Sequence, residues 1–155
     1  MIPNFIKKDI KTLVLFDMDG VLAEYRWGEN EAIKRGDVEV YLKKRPIRSV
    51  VRVAKALLDE GVAVGILSSC DTVEQKEAKL IWLSQNLPFI NENVHILVWN
   101  ELGLLGEDRN GAKARAIQSI RGYGKIYLID DKHKIINATN EILPGCAHHV
   151  SEILE

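Results

Sequence analysis

The sequence lacks several features that mark specialised classes of protein. Cysteine occurs only twice in 155 residues, and neither Cys70 nor Cys146 belongs to a CxxC pair or has a histidine at zinc-ligand spacing. We interpret both as core or loop thiols. No apolar run approaches the length of a membrane span, and the first residues lack the continuous apolar core of a signal peptide. These absences predict a soluble, cytoplasmic protein without a membrane partner.

An excess of charge of one sign is also missing. The 21 Lys and Arg residues nearly balance the 22 Asp and Glu residues, which leaves a formal net charge of -1. We therefore expect no global basic field for gripping long nucleic acid, although local basic patches stay open. Repeats and low-complexity linkers are absent, and 46% of the residues are hydrophobic. Length and composition thus predict a single domain over residues 1–155 with its own core.

What the sequence does contain is an alternation of apolar and amphipathic segments. Strand patterns cover residues 13–16, 62–67, 94–98, 125–129 and 146–150. Helical patterns cover about 46–60, 72–86 and 111–121 and begin again at about 133, and the charges of 72–86 predict a mostly surface-facing helix. This alternation is typical of βα units. It predicts an α/β fold with a mostly parallel, five-stranded sheet flanked by helices.

The first strand ends in two carboxylates and a glycine, Asp17-Met-Asp19-Gly20. Open α/β sheets bind ligands at the carboxyl ends of their strands, and glycine lets the backbone approach a ligand closely. Two acids at this point could bind a hard cation, attack an electrophile or move a proton. Alternatively, they simply end the strand, because Asp and Gly are common turn residues. An EF-hand loop is excluded, since Val21 stands where that loop needs another Asp or Asn.

Polar residues also follow other predicted elements. Ser68 and Ser69 end the second strand, where a hydroxyl and a backbone N–H could hold a phosphate oxygen, although serine is ordinary at a strand end. Lys113 lies in the first turn of a helix, where a cation is unfavourable unless an anion binds, and it could equally be a solvated surface charge. Asp130 and Asp131 repel each other unless a cation or donors lie between them.

This ordered series of motifs resembles the haloacid dehalogenase-like phosphohydrolase superfamily over nearly the full chain. Within it, the chain looks most like the 5′(3′)-deoxyribonucleotidase-like branch, on the residues 16–24, 45–46, 66–68, 82–83, 87–88 and 128–131. The resemblance implies a three-layer, Rossmann-like fold. It also implies a magnesium-dependent phosphatase, with nucleotidase activity as one form, acting on a small phosphorylated substrate such as a nucleotide.

The resemblance also implies a role for each motif residue. Asp17 would be the nucleophile that forms an aspartyl-phosphate, and Asp19 would protonate the leaving oxygen and later activate water. Asp17, Asp19 through its backbone carbonyl, and Asp131 would hold Mg²⁺, while Asp130 would either touch the metal or support a residue that does. Lys113, Ser68 and Ser69 would hold phosphate oxygens, and Lys113 would offset the charge on Asp17.

Many proteins of this superfamily carry a large cap domain, which this chain lacks room for. About 25 residues separate Gly20 from Pro46, too few for the helical-bundle cap usual in the nucleotidase branch. We therefore predict that residues 21–45 form a small flap, hairpin or minimal cap. An open site suits a bulky substrate such as a nucleic acid end, or a small substrate enclosed by a neighbouring subunit of a homo-oligomer.

The flap region supplies candidate substrate contacts, namely Tyr25, Arg26, Trp27 and Arg45. Aromatic rings stack on bases and arginine pairs with phosphate, although anchoring of the flap to the core would use the same residue types. Two other classes of protein compete with a phosphatase. A receiver-type phosphoacceptor module places its acid pair first and its lysine last, the reverse of the order here. A catalytically silent relative that binds a partner would not need all four motifs, which are retained.

Overall fold

A computed structural model of the chain describes residues 2–26, 28–34 and 37–154. Its strands are β1 (Thr12–Phe16), β2 (Ala63–Cys70), β3 (Val94–Val98), β4 (Lys125–Asp130) and β5 (Ala147–His149). Its helices are α1 (Glu29–Lys34), α2 (Val38–Leu42), α3 (Arg48–Asp59), α4 (Val73–Asn86), α5 (Trp99–Leu102), α6 (Ala112–Gln118) and α7 (His133–Ile142). Short 3-10 helices cover Glu107–Arg109 and Val150–Ile153. No helix in the described ranges has both the length and the apolar character needed to cross a membrane.

The five strands form one sheet in the order β3-β2-β1-β4-β5, and every pairing is parallel. Successive residues of the buried central strand β1 face opposite sides of the sheet. Val14 and Phe16 pack in a core with α3 and α4, whereas Leu13 and Leu15 pack in a second core with α6 and α7. Helices therefore cover both faces of the sheet. The predicted α/β, three-layer, Rossmann-like architecture is confirmed.

The order of the strands locates a crevice beside β1. The chain runs from β1 outward to β2 and β3, and then crosses to the other side of β1 to form β4 and β5. Ligand sites of open α/β sheets lie where the strand order reverses in this way, outside the carboxyl ends of the strands. The residues that follow β1 and β4 are therefore the first candidates for a ligand-binding or catalytic site.

Two strands are longer than their apolar runs predicted. β2 continues beyond Leu67, because Ser68 pairs with Ile96 and Cys70 with Val98 of β3. β4 takes in Asp130 for the same reason, since that residue pairs with His149 of β5. Ser68, Ser69 and Asp130 therefore start from regular strand backbone rather than from loops, which fixes their direction.

The ends of the helices follow local signals. α3 begins at Arg48 rather than Pro46, because Pro46 forms an isolated bridge with Ala23 and Ile47 is still extended. α4 begins after Thr72, whose side chain accepts a hydrogen bond from the backbone N–H of Gln75 while the Gln75 side chain accepts one from the backbone N–H of Thr72. The predicted helices therefore exist, with ends that shift by at most three residues.

The segment after β1 forms a small cap of two short helices, α1 and α2, and not a hairpin. Both ends of this segment meet, because Ala23 bridges Asp19 on one side and Pro46 on the other, and the backbone N–H of Glu24 donates to the carbonyl of Arg45 at 2.9 Å. Helix α2 packs on α4. The expectation of a small cap without a large insertion is confirmed.

Helix α4 exposes one face and buries the other. Its buried side chains are Gln75, Ala78, Lys79, Trp82 and Leu83. The indole N–H of Trp82 donates to the backbone carbonyl of Lys44 at 2.9 Å, which links α4 to the end of the cap. Only these five of its 14 residues are buried, which agrees with the prediction of a mostly surface-facing helix, but the charge pattern conceals a lysine on the buried face.

Candidate active site

A cavity of about 500 Å³ opens at the carboxyl edge of the sheet. Its lining includes most of the predicted site residues, namely Asp17, Asp19, Ser68, Ser69 and Asp131. Ser68 is fully buried in β2, whereas Ser69 is half-buried. The structure therefore brings the motifs of β1, β2 and β4 to one place, as the ends of parallel strands require.

Asp17 directly follows β1 and continues its pairing with β4. Its backbone N–H donates to the carbonyl of Ile129 at 3.0 Å, and its side chain is only 9% exposed. The Nζ of Lys113 lies 3.3 Å from Asp17 Oδ1. Burial raises the pKa of Asp17, and the charge of Asp130 adds to this effect, although Lys113 opposes both. Asp17 is thus a rigidly held carboxylate with a lysine as its counter-charge.

Lys113 is buried in the first turn of α6, and Asp130 holds it in place. Lys113 Nζ donates to Asp130 Oδ2 at 2.7 Å, while Asp130 Oδ1 accepts hydrogen bonds from the backbone N–H groups of Asp131 and Lys132. Burial acts to lower the pKa of Lys113, but Asp17 and Asp130 outweigh it, and the pKa is raised. Lys113 is therefore a permanent cation that Asp130 aims at Asp17.

Asp131 has a carboxylate oxygen that is available to a ligand. Its Oδ1 is buried and accepts no hydrogen bond from any described residue. One oxygen each of Asp17, Asp130 and Asp131 lies within 4.8 Å of the others. Burial and the charges of Asp17 and Asp130 raise the pKa of Asp131 to about 7. Clustered carboxylates with an unsatisfied oxygen fit a hard divalent cation such as Mg²⁺.

Gly20 makes room for this carboxylate. Its φ of 79° is in the left-handed region that glycine adopts without strain, and a Cβ at this position would overlap Asp131 Oδ2. The first motif therefore requires glycine for two reasons. The turn needs a positive φ, and the side chain of Asp131 occupies the space that a Cβ would take.

Asp19 lies between two buried lysines that the sequence analysis missed. Lys44 Nζ is 3.0 Å from Asp19 Oδ1, and Lys79 Nζ is 3.1 Å from Asp19 Oδ2. The lysine side chains are 1% and 4% exposed. Burial acts to raise the pKa of Asp19, but Lys79 and Lys44 outweigh it and lower the pKa to about 2. Asp19 is therefore ionised in this arrangement.

Lys79 also joins the second motif to the first. Its Nζ donates to Ser68 Oγ and to the backbone carbonyl of Ser69, both at 2.8 Å. A signal for Lys79 does exist, because it shares the helical face of Trp82 and Leu83 at i, i+3 and i+4 spacing. Lys44 offers no such signal, since it stands inside the basic run 43–45.

The candidate contacts of the flap region are separated by the structure. Tyr25 lines the cavity, with Lys44 Nζ 5.7 Å from the centre of its ring. Arg26 is exposed and pairs with Glu24 and Glu29 of the cap. Arg45 is also exposed and borders a different surface depression, beside Glu24. Trp27 lies outside the described residues.

Tyr41 of α2 is an aromatic residue of the site that was not predicted. It is buried at the floor of the cavity, with the Nζ atoms of Lys44 and Lys79 lying 4.9 and 5.7 Å from the centre of its ring. Burial raises its pKa well above the ordinary value, and the nearby charge of Asp19 adds to the effect. Tyr41 therefore stays a neutral phenol that supports both cations.

Taken together, the site combines a buried carboxylate beside a lysine, a second carboxylate paired with two further lysines, and an acidic cluster able to hold a metal. A scan of the sequence against protein-family models finds no matching family, and a search of curated proteins finds no matching relative. The chemistry that suits these groups is attack by a carboxylate on an electrophile that carries negative charge.

Proposed function

We propose that this protein is a magnesium-dependent phosphomonoesterase of the haloacid dehalogenase-like type, with a nucleotide or a related phosphomonoester as substrate. The observation that carries the proposal is the position of Asp17, 3.3 Å from Lys113 and beside the unsatisfied oxygen of Asp131. A carboxylate can approach a phosphate dianion only when cations offset their repulsion. The site supplies a fixed cation beside Asp17 and a cluster of carboxylates that would fit a metal ion.

In the first step, an Oδ atom of Asp17 attacks phosphorus, and the bond from phosphorus to the ester oxygen breaks. The departing oxygen takes a proton from Asp19, which leaves an aspartyl-phosphate on Asp17 and a free alcohol. Lys113 offsets the charge that gathers on the transferred group, because its own protonation is held by Asp17 and Asp130.

In the second step, water attacks the aspartyl-phosphate, the bond from Asp17 to phosphorus breaks, and Asp19 accepts the proton of the water. The ionised state of Asp19 between Lys44 and Lys79 suits this second step directly. The first step needs Asp19 protonated. A phosphate group beside Ser68 competes for Lys79 and weakens its hold on Asp19, which favours protonation at that stage.

Asp17 and Asp131 are the side chains that would hold Mg²⁺, together with the backbone carbonyl of Asp19. Asp130 has both oxygens occupied by Lys113 and by backbone N–H groups, so we assign it a positioning role. When bound, the ion would neutralise charge on the phosphate and orient it for attack in line with the breaking bond.

The other residues of the cavity support a nucleotide as the substrate class. Tyr25 lines it, and aromatic side chains stack on bases. Tyr25 is 51% exposed at the rim, so a base can reach its ring. Because the cap has only two short helices, a phosphorylated polynucleotide end remains the alternative substrate class.

The proposal is tested by magnesium-dependent phosphate release from 5′- and 3′-nucleotides, phosphorylated oligonucleotide ends and sugar phosphates. We expect wild-type turnover to stop on chelation, and Asp17→Asn to lose it by about a thousandfold or more, because the nucleophile and a metal ligand are lost together. Asp9→Asn removes an exposed carboxylate before β1 and should leave turnover unchanged. Residual activity of Asp17→Asn within about tenfold of wild type would contradict the mechanism. No release from any substrate would favour a silent binding protein.

A further inference from the structure

A second cavity of about 520 Å³ adjoins the candidate active site. The two cavities share Asp17, Ser69, Trp99, Arg109 and Lys132. The cap residues Tyr25 and Tyr41 line only the first cavity, whereas Lys134 and Ile135 of α7 line only the second. The second cavity therefore extends the site in the direction away from the cap.

The two cavities differ in charge. The carboxylates of the first are Asp17, Asp19, Asp71 and Asp131, as expected for a metal site with its acid. The second has only one carboxylate among its described lining residues, that of Asp17, and this is already paired with Lys113. Its basic side chains are Arg109, Lys113, Lys132 and Lys134. The charge of the second cavity therefore suits an anion.

Two of these cations form no close ion pair with described residues, although Lys132 acts electrostatically on Asp131. Lys132 and Lys134 are exposed, and neither forms an ion pair with a carboxylate in the described ranges. They flank the beginning of α7, where the first turn has no acidic residue and no side-chain cap. Cations near the positive end of a helix dipole are unfavourable unless an anion lies between them. The beginning of α7 adds to the positive potential of the cavity.

Arg109 stands at the boundary between the two cavities. Its guanidinium lies 5.3 Å from the centre of the Trp99 ring, and its Nε donates to the carbonyl of Leu104 at 3.3 Å. Its nearest carboxylate partner, Asp71, is 3.6 Å away and leaves donor groups of the guanidinium unused. A group that passes from one cavity to the other must therefore pass beside a cation held on an aromatic ring.

We propose that the second cavity binds a second phosphate group carried by the leaving group of the substrate. The inference rests on the proposed function, because it takes the phosphate at Asp17 as the one that is cleaved. The leaving group starts beside Asp19 in the first cavity and continues past Arg109, and its second phosphate lies between Lys132 and Lys134. Nucleoside bisphosphates and 5′-phosphorylated polynucleotide ends share this chemistry.

The test compares kcat/KM for adenosine 5′-monophosphate, adenosine 3′,5′-bisphosphate and a 5′-phosphorylated adenosine dinucleotide. We expect wild type to prefer the substrates with a second phosphate, and the preference to weaken with added salt. Lys134→Gln should reduce the preference about three- to fivefold, and Lys134→Arg should keep it. Lys7→Gln removes an exposed charge that precedes β1, at the amino end of the strands and so opposite the site. This variant should leave the preference unchanged. Equal kcat/KM for all three substrates would overturn the inference and leave the proposed function standing.

Binding to the Asp17→Asn variant separates the two proposals. Calorimetry with the same three compounds should give tighter binding of those with a second phosphate, and Lys134→Gln in this background should reduce the difference by the same factor, about three- to fivefold. That result without turnover by wild type would support the second phosphate site and reject the phosphatase. Equal affinity for all three compounds would reject the second phosphate site. A preference for the bisphosphate over the dinucleotide would identify a small substrate, and the reverse would identify a polynucleotide end.

Discussion

The neighbouring carboxylates Asp130 and Asp131 leave the end of β4 in different environments. Asp130 is fully buried and has each oxygen occupied, one by Lys113 and one by two backbone N–H groups. Asp131 has a buried oxygen with no hydrogen-bond donor among the described residues. Asp130 is the last residue of β4, where its side chain meets Lys113 of α6, whereas Asp131 follows the strand. Asp130 therefore positions Lys113, whereas Asp131 keeps an oxygen available to a ligand.

A test at the scale of one residue is Gly20→Ala compared with Gly61→Ala. Both glycines have a positive φ, 79° and 83°, but an added Cβ meets no atom within 4 Å at Gly61, whereas it overlaps Asp131 at Gly20. We expect a loss of about 1 kcal/mol in the free energy of unfolding for Gly61→Ala and about 3 kcal/mol for Gly20→Ala. Urea unfolding measures both. Equal losses would show that Asp131 does not occupy the space beside Gly20.

At the scale of elements, the sequence was informative where chemistry follows a strand and uninformative where helices meet. The apolar runs located all five strands, so the meeting of Asp17, Ser68 and Asp131 followed from parallel topology. The contacts of Lys44 and Lys79 with Asp19 depend on how α2 packs on α4. The positions of strands along the chain are readable from periodicity, whereas the packing of two helices distant in sequence is not.

The ion pairs of Lys44 and Lys79 with Asp19 give a prediction about the pKa of Asp19. Removal of either cation should raise the pKa of Asp19 from about 2 by about one unit, because each lysine favours the ionised carboxylate. Lys44→Met and Lys79→Met keep most of the buried volume of the lysine stems. The measurement is carbon NMR of the Asp19 carboxyl group against pH, with Lys76→Met of the same helix as the control. An unchanged midpoint in both variants would contradict the ion pairs.

At the scale of the whole molecule, the acidic cluster links stability to pH and to metal. The raised pKa of Asp131, about 7 instead of 3.8, means that the folded state keeps a proton that the unfolded state has released between these values. The folded state thus binds more protons, and its stability falls as pH rises through this range. A divalent cation relieves the same repulsion without the proton.

Magnesium should therefore stabilise the protein more at pH 8 than at pH 6, because fewer protons must leave Asp131 when the ion binds. We expect millimolar Mg²⁺ to raise Tm by about 3 °C at pH 8 and by less at pH 6. Asp131→Asn should lose this response, and Asp9→Asn should keep it. If Mg²⁺ raised the Tm of Asp131→Asn as much as that of wild type, the metal would have to bind outside this cluster.

The bridges of Ala23 to Asp19 and Pro46 hold the two ends of the cap side by side at the rim of the sheet. A chain segment whose ends already meet can change in length at little entropic cost, since closure entropy grows only slowly with the number of residues. The segment can thus change in length while β1 stays where it is, provided that Lys44 and Tyr41 keep their places beside Asp19. The protein is modular in this sense: the sheet carries Asp17 and Asp131, and an insert of about two dozen residues adds a lysine and a tyrosine to them.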